Sequence, residues 1–457
     1  MGAGRRRGGQ TLGMGQAEFL IAALLVAVAG LSALARRLGI PYPIVLVIGG
    51  ALVGFVPGLP EVNLDPDVVL VVFLPPLLYS TAFFANLGDL RQNLRPISIT
   101  SIGLVLVTMC AVALVAHELI PGMSWEVAFV LGAIVSPTDP LAGAMIMRRL
   151  DVPRRQVSVV EGEGLFNDAT ALVAFRVAVT AVVGGSFSLA AAGIDFVLAA
   201  IGGVLIGLAI GFVVAELRKR TEDAQVSITI SLLTGYAAFI PANAIGASGV
   251  LAAVTAGIYM GVRGPSIIPA RTRLQGLFVW DILDFLINAV LFVLVGLELR
   301  AVVDSLGGYS VGDLAGYALA TCGVVVGTRI AWAMTVPYII RALDRRESQR
   351  ARRTTAASRL VIAWSGMRGA VSLAAALAIP LTIDSGGSFP NRDLIIFLTF
   401  SVIFFTLVVQ GLTLPTLIRV LGVTSDGSEE TEEIRARLVA SKAAIARLDE
   451  LEGEEWT

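Results

Sequence analysis

Residues 161–176, EGEGLFNDATALVAFR, place Glu161, Glu163, Asn167, Asp168 and Arg176 inside one apolar stretch. Two further ionisable residues sit where an apolar helix should break. These are Asp139 in Ser136-Pro137-Thr138-Asp139-Pro140 and Arg368 in Ser365-Gly366-Met367-Arg368-Gly369. A charge in hydrocarbon costs about 2.5–3.5 kcal/mol on insertion scales, so such residues are normally kept there by a function. One carboxylate can pair permanently with arginine, which stays charged at any accessible pH. Another, left unpaired, can hold a proton or a cation, because burial favours the protonated form and a bound cation the ionised one. Glu163 and Asp168 project about 140° apart on a helix, so each can have its own partner. We assign Glu163 and Arg368 as a structural ion pair, and Asp168 as the carboxylate for which a cation and a proton compete. With alternating access, that competition suffices for exchange.

The elements that must position these residues are membrane spans. The chain has 457 residues, 56% hydrophobic and 15% charged, with a mean hydropathy of +0.82. Soluble domains run at about 45–50% apolar and about 25% charged. An all-α polytopic membrane protein is the class that remains. A net charge of −1 gives no sign of a nucleic-acid partner. Apolar runs fall near 17–35, 42–56, 66–85, 96–117, 125–147, 157–183, 190–216, 225–241, 247–262, 274–299, 312–341, 358–380 and 393–420, which predicts about thirteen transmembrane helices. Residues 1–16 form a polar N-terminal segment, 17–421 the membrane domain and 422–457 a polar tail. In that tail Ile434, Leu438, Ile445, Leu448 and Leu451 are spaced as in an amphipathic helix over 430–452.

Basic residues test the count. Loops after the odd-numbered runs carry Arg36 and Arg37, Arg91 and Arg95, Arg148 to Arg155, Arg218 to Arg220, Arg263 to Arg273, and the arginines from Arg341 to Arg359. Loops after the even-numbered runs carry only Arg300 and Arg392. Basic loops stay in the cytoplasm, which puts the C-terminus inside and the N-terminus outside. Arg5, Arg6 and Arg7 oppose that orientation; a translation start at Met14 would remove them.

The fifth and twelfth runs hold the two breaks. Proline removes a backbone donor and glycine weakens a helix. Unwound backbone in a bilayer is tolerated only where protein or a water-filled cavity satisfies it. A matched pair of interrupted helices, seven runs apart and so oppositely oriented, points to inverted repeats around a transport site.

Several residues read as structural. Cys110 and Cys322 lie in apolar runs and read as small buried hydrophobes. His117 has no metal-binding company. Arg176, Arg329, Asp281, Asp284 and Asn288 read as helix-end or pairing groups. Phe73, Tyr79, Phe83 and Phe84 read as packing surface rather than a cation cage.

Four motifs carry a family resemblance: Asn167-Asp168 preceded by Glu163, Thr138-Asp139-Pro140, Gly366-Met367-Arg368-Gly369-Ala370, and Phe73-Leu-Pro-Pro-Leu-Leu-Tyr79. Over residues 17–420 the chain resembles the monovalent cation:proton antiporters of the NhaP and NHE type, and within them the bacterial Na⁺/H⁺ exchangers. The resemblance implies a thirteen-helix fold with inverted repeats and a homodimer. It also implies a core (residues 96–183 and 312–420) that moves against a dimerisation panel made by the rest. Asp168 matches the ion-binding aspartate and Asn167 its partner. Thr138 and Asp139 match the crossover, and Glu163 with Arg368 the structural pair. Na⁺ would be held at Asp168 and Thr138, with backbone carbonyls and water, and no cofactor is implied. Asn-Asp relatives exchange one cation for one proton without net charge. Two positions depart from the pattern. Gly164 stands where many relatives have serine, and Ser80 where some have glutamate.

The expected function is therefore Na⁺ (or Li⁺)/H⁺ antiport across the cytoplasmic membrane, in service of pH homeostasis. The nearest alternative is K⁺/H⁺ antiport on the same fold. A cation channel using Asp168 as a selectivity charge, and a transport-inactive sensor acting through its tail, are readings of a different class.

Overall fold

A computed structural model describes residues 14–56, 69–184, 189–306, 308–343, 354–425 and 427–452. Arg5, Arg6, Arg7 and the residues before Met14 lie outside the described residues, as do Arg345, Arg346, Arg350, Arg352 and Arg353. The described chain is helical apart from one isolated bridge, Thr382 to Ser388.

The helices in chain order are α1 (Met14–Leu38), α2 (Tyr42–Gly54), α3 (Leu74–Phe84), α4 (Leu94–Leu119), α5 (Trp125–Val135), α6 (Pro140–Arg149), α7 (Arg154–Gly184) and α8 (Leu189–Lys219). They continue with α9 (Ala224–Ala244), α10 (Gly249–Ile267), α11 (Ala270–Ser305), α12 (Val311–Leu343), α13 (Ala356–Trp364), α14 (Ala370–Leu377), α15 (Arg392–Leu421) and the tail helix α16 (Ser428–Glu452). Among the described residues nine helices, the α5–α6 pair taken as one, are long and apolar enough to cross a membrane. Two shorter apolar helices are Tyr42–Gly54 and Val71–Phe84. The run expected at 274–299 is longer than its apolar window: α11 has 36 residues and continues through Asp281 and Asp284.

The outside of the molecule is apolar. Leu198, Leu205 and Phe212 recur every seven residues on α8 and are all exposed. In water such a surface would aggregate; here it is the face that lipid covers. Cys322 is buried, with its Sγ 3.7 Å from the Ser401 carbonyl. Cys110 is exposed on α4, against expectation, because hydrophobicity in a membrane protein points outward as readily as inward.

Two sets of helices pack among themselves. In one, α3, α8, α9 and α10 form a layer, and α2 lies along α11. In the other, α4 packs on α5 and α12, α7 on α5 and α6, and α15 on α12 and α14. Between α2 and α11 the backbones nearly touch: a Cβ added at Gly296 would overlap the Val47 carbonyl and the Ala51 nitrogen. Lipid tails are as apolar as leucine, so membrane helices gain little by hiding side chains and much by close van der Waals approach at small residues.

Both expected breaks are present. Backbone without helix runs from Ser136 to Asp139 and again from Ser365 to Gly369. The two meet, with the Asp139 N–H donating to the Met367 carbonyl at 2.8 Å. Wide π-helical turns flank them at Ile99–Leu104 and Thr406–Gln410, and such turns appear mostly at functional sites. The tail helix leaves Ile434, Leu438, Ile445 and Leu448 exposed, whereas Leu451 is half-buried.

Gly296→Leu should lower the stability of the solubilised protein by about 1–3 kcal/mol through overpacking. Gly316→Leu, at a position with no atom within 4 Å of an added Cβ, should leave it unchanged. Thermal melting in one detergent compares them.

Candidate functional site

A broken helix leaves carbonyls without partners at one stub and N–H groups at the other. Here the side chains of Asp139 and Arg368 answer both. Asp139 caps α6: its Oδ1 accepts the Leu141 N–H at 2.9 Å. Its other oxygen lies directly over Gly369, just before α14, where an added Cβ would collide with it. One carboxylate thus faces the positive ends of two half-helices. Arg368 does the converse. Its Nε donates to the last carbonyl of α5, Val135, at 3.2 Å, and its Nη1 to the Gly366 carbonyl. Its own N–H donates to Thr406 Oγ1, in the π-helical turn, at 3.0 Å.

Arg368 is therefore not the partner of Glu163. That place is taken by Arg329, from the middle of α12. Arg329 Nη1 and Nη2 grip the two carboxylate oxygens of Glu163 as a fork, the second at 3.2 Å. Its Nε donates to the Ala363 carbonyl at 3.1 Å. The guanidinium passes where Gly366 has no side chain, and a Cβ there would fall on it. The expected pair fails because sequence spacing cannot tell which of two buried arginines has a clear path. Arg368 is held by carbonyls only its own crossing supplies.

Glu163 also accepts from Thr138 Oγ1 at 3.1 Å. Asn167 Nδ2 donates to Thr138 Oγ1 at 2.9 Å and to the Thr138 carbonyl at 3.0 Å. Ser101 Oγ donates to the Glu163 carbonyl at 3.1 Å. The unwound residue Thr138 is thereby fixed to α7 through three bonds. Asn167 Oδ1 is left buried without a protein partner, an acceptor free for water or an ion.

Asp168 stands apart from this network and is half-buried. It lines a cavity of about 1010 Å³, together with Thr138, Asp139, Gly164, Asn288, Gly369 and Ser372. From α7 the cavity is lined by Arg154, Ser158, Glu161, Leu165 and Asp168, one face of the helix, and by nothing beyond Asp168. At 1.5 Å per residue, fourteen residues give a depth of about 21 Å. The other end carries Asp89, Arg148, Asp151 and Ser425. There Arg148 pairs with Glu161 at 2.6 Å and Arg154 with Asp89 at 2.9 Å.

Of the expected site residues, Asp168, Asp139 and Thr138 share the cavity wall, whereas Asn167, Glu163 and Arg368 lie behind it. Arg176 is elsewhere, donating to Asn243 Oδ1 and the Ala247 carbonyl at the turn between α9 and α10. His117 bonds the Met123 carbonyl at 2.7 Å and stacks on Trp125. Tyr79 stacks on Phe83 and leans on Trp280, a packing cluster. Ser80 donates to Asp284 Oδ1 at 2.8 Å. Ser372 was missed; its only signal is a hydroxyl one turn past the second break. Gly164 has a steric reason, since a Cβ there would overlap the Pro140 ring.

Two outcomes follow. Arg329→Ala should cost about 3–5 kcal/mol of stability by stranding a buried carboxylate. Adding Glu163→Ala should recover much of that loss, whereas Glu163→Ala with Arg368→Ala should not show such recovery. Rescue by the Arg368 combination instead would contradict the pairing. Gly164→Ser should push on Pro140 and lower the melting temperature, at a cost of about 1–3 kcal/mol.

Residues 21–420 match the family model described as sodium/hydrogen exchanger, transmembrane. An uncharacterized Na⁺/H⁺ exchanger of Mycobacterium tuberculosis is 40% identical over 94% of this chain and 79% of its own. The sodium, potassium, lithium and rubidium/H⁺ antiporter of Bacillus subtilis is 32% identical over 87% of this chain and 61% of its own. The sodium proton antiporter MjNhaP1 of Methanocaldococcus jannaschii superposes with a TM-score of 0.67 at 18% identity, over 89% of this chain and 100% of that one, and so shares the fold. An unpaired carboxylate at the end of a deep cavity, beside two crossed helix breaks, is found here in a chain that belongs to the sodium/hydrogen exchanger family, the membrane antiporters of monovalent cations and protons.

Proposed function

We propose that this antiporter exchanges Na⁺ or Li⁺ for H⁺ in a one-to-one, electroneutral cycle, with both ions using Asp168 in turn. The observation that carries the reading is the position of Asp168 at the deep end of a cavity whose α7 lining stops there. A cation entering from the mouth passes the Asp89–Arg154 and Glu161–Arg148 pairs and the carboxylate of Asp151. At the bottom it displaces the proton of Asp168. Thr138 Oγ1 has one lone pair uncommitted after its bonds to Glu163 and Asn167. With backbone carbonyls and water it would complete a shell of hard oxygens.

The half-helix ends make this workable. The amino ends of α6 and α14 would repel a cation, and Asp139 neutralises them. The carbonyls at the opposite stubs are occupied by Arg368, so they do not compete for the ion. Glu163 is charged but locked to Arg329, and Asn167 cannot carry a proton. One titrating carboxylate is left to exchange, with Asp139 fixed as a cap.

With the arginine-rich loops on the cytoplasmic side, the cavity mouth would open to the cytoplasm and this conformation would be inward-facing, with the C-terminus inside and the N-terminus outside. The core of 96–183 and 312–420 would then carry Asp168 past a dimerisation panel to reach the other side. We infer a homodimer through that panel. A second reading, in which K⁺ is also carried, is favoured by the printed breadth of the Bacillus subtilis relative and by Gly164, which removes one hydroxyl from the site. A channel is disfavoured by a cavity lined on α7 from one side only.

In everted vesicles containing acridine orange, Na⁺ should dequench the dye through the wild type and not through Asp168→Asn. Because protons compete for the same carboxylate, acidification should raise the apparent KM for Na⁺, approaching about tenfold per pH unit once the protonated form predominates. Dequenching retained in Asp168→Asn, or a KM indifferent to pH, would falsify the assignment. The same assay with K⁺ separates the two ion preferences.

A further inference from the structure

Asn288 stands in the middle of α11, inside a span, with no helix end beside it. Among the described residues it is the only member of α11 that lines the cavity containing Asp168. Its Nδ2 donates to the Asp284 carbonyl, one turn back, at 2.8 Å. A backbone carbonyl only accepts, so that bond fixes which end of the amide faces the helix. Oδ1 is turned away from that carbonyl, and among the described residues no donor meets it. Asp284 itself does not line the cavity; its Oδ1 accepts from Ser80 Oγ of α3 at 2.8 Å, which ties α11 to α3.

Packing sets Asn288 at the level of Asp168. Leu74 and Leu78 of α3 cluster with Leu165 and Ala169 of α7, which bracket Asp168. Leu77 of α3 clusters with Ile287 and Leu291 of α11, which bracket Asn288, and with Ala374 of α14. From Leu74 to Leu78 is about one turn of α3, a rise of roughly 6 Å. The two side chains therefore reach the cavity at one depth, from two different helices. That depth is the crossing, because Gly369 and Ser372, around the start of α14, line the same cavity. A polar oxygen with no partner is costly inside a span, and a cation or its water answers it.

We propose that Asn288 Oδ1 is the panel's ligand to the transported cation, engaged together with Asp168 and Thr138 while the cavity is open to the cytoplasm. The inference rests on Asp168 being the ion-binding carboxylate. Hard cations take oxygen ligands, amide carbonyls included. A neutral amide adds no titrating group, so the exchange of one cation for one proton is kept. Asp168 and Thr138 belong to the moving core and α11 to the panel. When the core shifts, the ion leaves with Asp168 and Thr138, and Asn288 stays behind. The contact therefore strengthens cation binding from the cytoplasmic face and not from the other, which makes the two faces of the exchanger unequal.

Initial exchange rates against Na⁺ concentration give the KM at each face, in everted vesicles for the cytoplasmic side and in right-side-out vesicles for the other. Asn288→Ala should raise the cytoplasmic KM by about tenfold, the loss of one charge-assisted contact, and move the external KM far less. Asn288→Leu, which keeps the bulk of the side chain, should do the same. Asn288→Asp keeps an oxygen at this position and loses the Nδ2 donor, so its cytoplasmic KM should stay near the wild-type value. An amide needed only for its bond to the Asp284 carbonyl would make all three variants fail alike. That outcome would overturn the proposal, as would an unchanged cytoplasmic KM in Asn288→Ala and Asn288→Leu, or an external KM raised as much as the cytoplasmic one. Asp168→Asn in the same vesicles separates the two assignments. Exchange retained there removes Asp168 as the carrier; exchange lost there, with the KM of Asn288→Ala and Asn288→Leu unchanged, removes Asn288 alone.

Discussion

The buried fork between Glu163 and Arg329 is the interaction on which the site depends. It joins α7 to α12 in the interior, and through Thr138 Oγ1 and the Ala363 carbonyl it reaches both helix breaks. Unwound backbone survives in a membrane only if each polar group finds a partner inside the protein. The desolvation cost of burying two charges is offset by their mutual attraction and their further hydrogen bonds, and those further bonds hold the irregular backbone. Without that clamp Thr138 and Asn167 would have no fixed register, and Asp168, one residue on, would have no fixed direction.

Around this clamp the crossing is electrically divided. Asp139 sits at the amino ends of two half-helices and Arg368 at carbonyls of the opposite stubs. Each charge is matched to the dipole it meets. Asp168, which lines the large cavity as Asp139 does, is the carboxylate at the crossing without such a commitment among the described residues. The proposed roles thus come from subtraction: Glu163 is paired, Asp139 caps, Asn167 is neutral, and Asp168 is the carboxylate we propose binds.

Much of this was legible in the chain. The spacing of Pro137, Asp139 and Pro140, and of Gly366 and Gly369, announced both breaks, because few residues can leave a helix inside lipid. Asp168 stood out because a carboxylate in an apolar run has no bland explanation. What spacing could not supply was the relation between helices far apart in sequence. Arg329 lies 166 residues from Glu163, and only the packing of α12 against the second break shows that it reaches. Gly164 looked like a missing ligand and proves to be a contact point for Pro140. Cys110 was placed inside because an apolar run does not say which face meets lipid. Ser372 carried no signal stronger than any serine near a helix start.

The central claim is that one carboxylate serves both ions, and proton release on cation binding tests it most directly. Isothermal titration of the purified protein with Na⁺, repeated in buffers of different ionisation enthalpy, counts the protons released. At a pH where the free site is protonated, the account predicts close to one proton for each Na⁺ bound, and neither binding nor release in Asp168→Asn. Na⁺ binding that releases no proton at any pH where the protein is folded would contradict it.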